Sequence, residues 1–285
     1  MPVAYTPTSS PDDYRCFVVP WPETEAANVT GFVTEPGNQA IVHHVISYVV
    51  PPDSVDRALE LEASDPEPGY PCYGPARISG QYLPWISAWA PGASGGDFPS
   101  QTGIKVEPGS AIILQAHYNV VMSDPAPDKS RMIFQVDRDL PRIAALTPFT
   151  NYEWVTAGTM QIPAGEVTTH SFQMPFSQWV HIYSGGQLRR NETLTIHEVN
   201  FHMHQLGTSG SLEIIRASGE EECLLGISDW DFNWQLAYRL KEPVLFEPGD
   251  KLRITCTWDN TESNQATNEP PRDLGWGDGT YDEMC

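Results

Sequence analysis

At 285 residues the chain is too long for one small sandwich and suits two domains of roughly 140 residues each, and a hydrophobic content of 40% with 9 Trp, 11 Tyr and 10 Phe excludes a wholly disordered protein. Asp and Glu number 37 against 16 Lys and Arg, and the resulting formal charge of −21 repels phosphate backbones and anionic membranes, so no nucleic acid partner is expected. No apolar run approaches the ~18 residues of a transmembrane segment, and the start, MPVAYTPTSSPDD, carries neither a charged n-region nor an apolar h-region, so a secretion signal is either absent or removed.

Along the chain, 26 Pro and 22 Gly punctuate short β-rich runs. The clearest are Ala40–Val50, Ala111–Val121, Leu194–His204, Ser211–Arg216 and Lys251–Trp258. Ser54–Ala63, with Val55, Leu59 and Leu61 set among charges, is the predicted short helix. Similar turns, Val106-Glu-Pro-Gly-Ser110 and Phe246-Glu-Pro-Gly-Asp250, precede two of the apolar strands and hint at two related sandwiches. Near Val136–Arg142 a strand ends in Asp137-Arg-Asp139 followed by Pro141, which predicts an N-terminal domain over residues 1–138 and a C-terminal one over 139–285. The expected fold is all-β: two antiparallel, jelly-roll-like sandwiches packed side by side.

Cys16, Cys72, Cys223, Cys256 and Cys285 form no CxxC and no zinc-finger spacing, which favours disulfides over a metal–thiolate or thioredoxin-like reading and leaves one thiol over. Five plain cysteines in a reducing cytosol remain the alternative. Three histidine settings have the look of metal ligands. In His202-Met203-His204, strand alternation would turn both imidazoles to one face. The neighbours His43-His44 would face opposite ways on a regular strand, so joint coordination there needs a strand end, a twist or a bulge. His117 shares a polar strand face with Gln115 and Asn119, as suits a cleft or interface. Met284, alone, is a terminal methionine.

Together, and in this order, the HH pair, the Gln115-Ala-His-Tyr118 stretch, the HxH and the late Asp282-Glu-Met-Cys285 resemble the copper type II, ascorbate-dependent monooxygenase family. Leu206-Gly207 and the Gly275–Gly279 stretch add to the likeness, which runs from about Tyr14 to Cys285. The resemblance implies two coppers per chain. His43, His44 and His117 would hold an electron-transfer copper, and His202, His204 and Met284 the catalytic copper where oxygen is activated. Imidazole suits copper in either oxidation state, and a thioether is a soft ligand favouring Cu(I) and rarely accepted by zinc.

The family pattern further implies disulfides Cys16–Cys72 and Cys256–Cys285, with Cys223 single in the acidic stretch Glu220-Glu-Glu-Cys223. It implies hydroxylation of an activated C–H bond in a small organic or peptide substrate, with O2 and an external reductant such as ascorbate, in an extracellular or periplasmic setting. Peptide-amidating members carry an arginine two residues before the HxH, where this chain has Asn200, which puts recognition of a C-terminal glycine in doubt. Gln115, beside His117, would line the cleft, or equally be an amide on the strand surface. His170, His181 and His197 match no ligand position. The rival readings are a non-catalytic copper-binding or storage protein on the same scaffold and an immunoglobulin-like interaction domain with incidental histidines.

Overall fold

Runs of β-branched and aromatic residues between proline and glycine turns become strands through most of the chain. The computed structural model describes residues 1–285 apart from 73–75, 77, 79–82, 94, 122, 184–187, 190, 233 and 266–268. Two units separate, Met1–Thr147 and Pro148–Cys285.

In the first unit the strands are β1 (Asp12–Pro20), β2 (Ala27–Glu35), β3 (Val42–Val50), β4 (Tyr70–Pro71), β5 (Trp85–Trp89), β6 (Gly96–Asp97), β7 (Thr102–Val106), β8 (Ala111–Asn119), β9 (Arg131–Asp137) and β10 (Arg142–Ile143). One sheet runs β4-β1-β8-β3-β5; the other runs β10-β7-β2-β6, with β9 also paired to β2. Val49, Ile86 and Ile112 of the first sheet share a buried cluster with Val29, Ile104 and Val106 of the second, the signature of a sandwich core. Central β8 is buried along nearly its whole length, because both of its faces are covered. The predicted helix forms as α1 (Val55–Ala63), whose buried Ala58 joins the cluster of Cys16, Val18, Tyr48 and Ile113.

The second unit holds α2 (Tyr152–Ala157), β11 (Val167–Pro175), α3 (Phe176–Tyr183), β12 (Leu194–Asn200), β13 (Gly207–Ile215), β14 (Glu221–Ile227), β15 (Ala237–Phe246) and β16 (Lys251–Asp259). A four-stranded sheet, β11-β16-β13-β14, and the pair β12-β15 contribute Ile214, Leu224 and Leu252 on one side and Phe246 on the other to a common core. Burial along β16 alternates strictly, with Leu252, Ile254, Cys256 and Trp258 inward. Both predicted Pro-Gly turns form. Gly109 and Gly249 take φ of 78° and 105°, a region a side chain would disfavour, and the amides of Ser110 and Asp250 close the turns on the carbonyls of Glu107 and Glu247.

Three sequence expectations are changed. The charged stretch Asp137–Pro141 does turn the chain, with Asp139 at φ 56°, but β10 then re-enters the same sheet, pairing in parallel with β7, and Leu146 bridges to Trp85. The first unit therefore runs nine residues past the expected boundary at 138/139, and its sheets are not wholly antiparallel. Strand β12 ends at Asn200, so His202-Met203-His204 lies beyond it and strand alternation is not what orients that pair.

Two disulfides, Cys16–Cys72 and Cys256–Cys285, staple the units, and Cys223 is an exposed free cysteine. Loops of 56 and 29 residues correspond to roughly 4 and 3.5 kcal/mol of chain-entropy stabilisation in the simple loop-closure treatment. Among the described residues no helix is long and apolar enough to cross a membrane. Thiol titration of the unfolded, unreduced protein is expected to count one reactive cysteine; a count of five would remove both staples.

Candidate metal centres

The first centre lies on one face of β1, β8 and β3. Antiparallel register sets Tyr14 of β1 and His44 of β3 opposite His117 of β8. Between Val42 and His44 the β3–β8 register slips by one residue, and this bulge is what lets the adjacent His43 join His44 on the same side. His44 Nδ1 lies 3.3 Å from His43 Nδ1 and 3.3 Å from His117 Nδ1, and one ligand nitrogen from each of the three rings falls within 4.8 Å of the others. That is a set of borderline donors converging on one point, as copper or zinc would require. Burial holds the His117 pKa below its ordinary value, against the upward pull of the Asp12 carboxylate, so the ring favours the neutral form that binds metal.

Around His117 the remaining contacts are specific. Its Nε2 lies 2.8 Å from Asp12 Oδ1, and the Tyr14 ring stacks on it at 4.0 Å and 10°. Gln115, expected to line a cleft beside it, is instead 2% exposed: its Oε1 accepts from the Tyr48 hydroxyl and its Nε2 donates to the Cys72 carbonyl. A polar strand face here means a satisfied interior, because β8 is covered on both sides.

The second centre is built from irregular chain. His202 and His204 present rings 5.2 Å apart and nearly perpendicular. Gln235 Oε1 engages His202 Nδ1, and the Asp282 carbonyl engages His204 Nδ1 at 2.9 Å. Trp230 donates its indole N–H to the His204 carbonyl, and Phe232 meets the His204 ring edge-on at 6.1 Å.

Glu283 ties this loop to the chain's last residues. It is 1% exposed; one carboxylate oxygen accepts from the His204 amide at 3.1 Å and the Trp258 indole at 2.9 Å, and the other accepts from the Leu206 amide at 2.7 Å. Its backbone exchanges hydrogen bonds with Gly275 and Gly277. Burial pushes its pKa up to about 8, although the three N–H donors pull the other way. Met284 thus lies between two anchored neighbours: Glu283, and Cys285, which is disulfide-bonded to Cys256 and accepts at its carbonyl from Thr150.

The five histidines singled out in the sequence fall in these two settings, and Met284 directly follows Glu283, whose carboxylate accepts from the His204 amide. Asp12, Gln235 and Glu283 were given no role there. Glu283 sits inside the DEMC motif, and Asp12 precedes Tyr14 by one strand repeat. Gln235 left no sequence signal, since its contact depends on a loop closure of 33 residues.

Residues 156–285 match the family model described as copper type II ascorbate-dependent monooxygenase, C-terminal domain. Across both units the chain is 25% identical over 269 residues to the DBH-like monooxygenase protein 1 of Mus musculus, covering 89% of this chain and 39% of that protein. It is 24% identical over 268 residues to the Homo sapiens protein of the same name, again 89% of this chain and 39% of the relative. Dopamine beta-hydroxylase of Canis lupus familiaris is 24% identical over 210 residues, 70% of this chain and 30% of that one. The chain spans about two-fifths of the length of the first two relatives.

Replacing Glu283 by Gln keeps the shape but sets an amide N–H2 group against a backbone or indole N–H. One buried donor then goes unsatisfied, at a cost of about 1–3 kcal/mol. Denaturant unfolding should register that loss. A Glu283→Gln chain as stable as the parent would show that the carboxylate is not what holds the loop to the tail.

Proposed function

We propose, from the match of residues 156–285 to the copper type II ascorbate-dependent monooxygenase model and the likeness to DBH-like monooxygenases, that the chain is a copper-dependent monooxygenase that takes one copper at His43, His44 and His117 and a second at His202, His204 and Met284. The reaction would hydroxylate an activated C–H bond of a small organic or peptide substrate with O2 and an external reductant such as ascorbate. The observation that carries this reading is the convergence of three imidazoles at a strand bulge, a costly arrangement for groups with no ligand to share.

Copper bound in such sites supplies one-electron redox chemistry and oxygen activation. The chain's part is to hold the donors ready. In the first centre the nitrogens that approach one another are Nδ1 atoms, while in the second the Nδ1 atoms are engaged by Gln235 and Asp282, so a metal would be met through Nε2. Met284 adds the thioether that favours Cu(I) and makes the second set a poor zinc site. The two sets share no residue, so each can be lost without the other.

Asn200, at the exposed end of β12, stands where peptide-amidating members carry arginine, and an amide offers a peptide carboxylate no charge to pair with. A substrate without a C-terminal carboxylate fits better. The two disulfides suit an extracellular or periplasmic location. The rival reading, a copper store on the same scaffold, predicts the same metal content but no hydroxylated product.

Elemental analysis after copper loading should give two equivalents per chain, and one or none would contradict the assignment. Met284→Ala should weaken Cu(I) binding by about tenfold or more at one site and leave the three-histidine site unchanged, by competition with a Cu(I) chelator; equal losses at both would show the partition to be wrong. Ascorbate-reduced, copper-loaded protein should consume O2 and convert a bound small aromatic amine to a hydroxylated product detectable by mass spectrometry; copper uptake with no product from amine or peptide probes would favour storage.

A further inference from the structure

Asp12 is one of two acidic residues that open β1, and the strand's alternation turns it and Tyr14 to the same face as His117 while Asp13 turns away. Its side chain is 9% exposed and that of His117 is 1% exposed, so the 2.8 Å contact between Asp12 Oδ1 and His117 Nε2 is shielded from water. Asn119, paired with Asp12 across the strands, directs its Nδ2 at the same oxygen at 3.4 Å. Tyr14 stacks flat on the imidazole and blocks its rotation. The ring is therefore fixed in plane by one neighbour on β1 and in direction by another, with Nδ1 turned toward His44.

We propose that Asp12 is a positioning residue for the three-histidine centre: its carboxylate fixes His117 as the Nε2–H tautomer, commits Nδ1 to the metal, and lowers the reduction potential of the copper held there. The inference rests on the copper assignment given above. A carboxylate accepting from the far nitrogen of a ligand imidazole makes that ring a stronger donor, and a negative charge in a low-dielectric surrounding favours the more highly charged metal ion, Cu(II) over Cu(I). For a centre whose task is to give up an electron, a lowered potential is the useful direction. At the second centre His202 Nδ1 meets the neutral amide of Gln235.

The test uses the full chain in a His202→Ala background, which removes the second copper and leaves the first to be read alone. Asp12→Asn preserves shape and an acceptor for the Nε2–H, and removes the charge. It is expected to bind one copper per chain still, with the ratio of Cu(II) to Cu(I) affinity lowered by tenfold or more, each tenfold being about 59 mV of raised potential for one electron. Asp12→Glu should restore most of the parent ratio, which a merely structural role would not require. In a separate measurement on the parent chain, long-range 15N–1H correlation of the Cu(I) form should find the proton of His117 on Nε2.

A parent that binds copper while Asp12→Asn leaves the affinity ratio unmoved would overturn this inference alone, as would a proton found on Nδ1. A parent that takes up no copper would overturn the functional reading and this inference with it.

Discussion

A single buried carboxylate joins the stretches from which the second centre is made. Glu283 reaches across 79 residues of sequence to the His204 amide, takes the Leu206 amide on its other oxygen and holds the Trp258 indole from the floor of the sheet. The His202–Leu206 stretch is neither strand nor helix, and its His204 and Leu206 amides would lose these acceptors without Glu283, whose own backbone is held by a bridge to the Gly275–Gly277 stretch. The disulfide to Cys256 then holds Cys285, on the far side of Met284, to β16. Both neighbours of Met284 are thereby anchored.

The first centre solves the same problem with regular structure. Its donors stand on two adjacent strands of one sheet, and a one-residue slip between those strands brings His43 round to join His44. Rigidity comes from the interior of a sandwich, with β8 buried throughout, and from the satisfied row of Gln115, Tyr48 and Cys72 beneath the histidines. Donor atoms differ accordingly. A strand-borne cluster offers Nδ1, close to the backbone, whereas the loop-borne pair has Nδ1 tied into the protein. Under the proposed copper assignment the first would be a stiff site, and the second one whose stiffness depends on a few buried polar groups.

Much of this was legible in the chain before folding, because it depends on local rules. Burial alternates with a period of two in β16, the Pro-Gly turns require positive φ at Gly109 and Gly249, and the helix at Val55–Ala63 carries its small apolar face among charges. That His43 and His44 could act together only at a strand end, a twist or a bulge followed from elementary strand geometry, and the structure has the bulge. What failed to show was tertiary. The charged turn near Asp137 looks like a boundary, but nothing local reveals that β10 will return to β7. An alternating polar row in β8 looks like a surface because the pattern cannot report that both faces will be covered. Likewise the HxH reads as strand from its β-forming residues, whereas its geometry is set by Glu283, Gln235 and Trp230, contacts made across 26 to 79 residues.

The oxidised cysteine pairs and the soft donor at Met284 bear on one claim, that this chain holds two chemically different coppers. X-ray absorption at the copper edge of the fully loaded Cu(I) protein tests it most directly, because sulfur and imidazole nitrogen scatter at different distances and strengths. The account predicts one sulfur for every two coppers, lost on Met284→Ala, with imidazole scattering from the remaining donors retained. Scattering from nitrogen alone in the unaltered protein, or a sulfur signal that survives the loss of Met284, would contradict it.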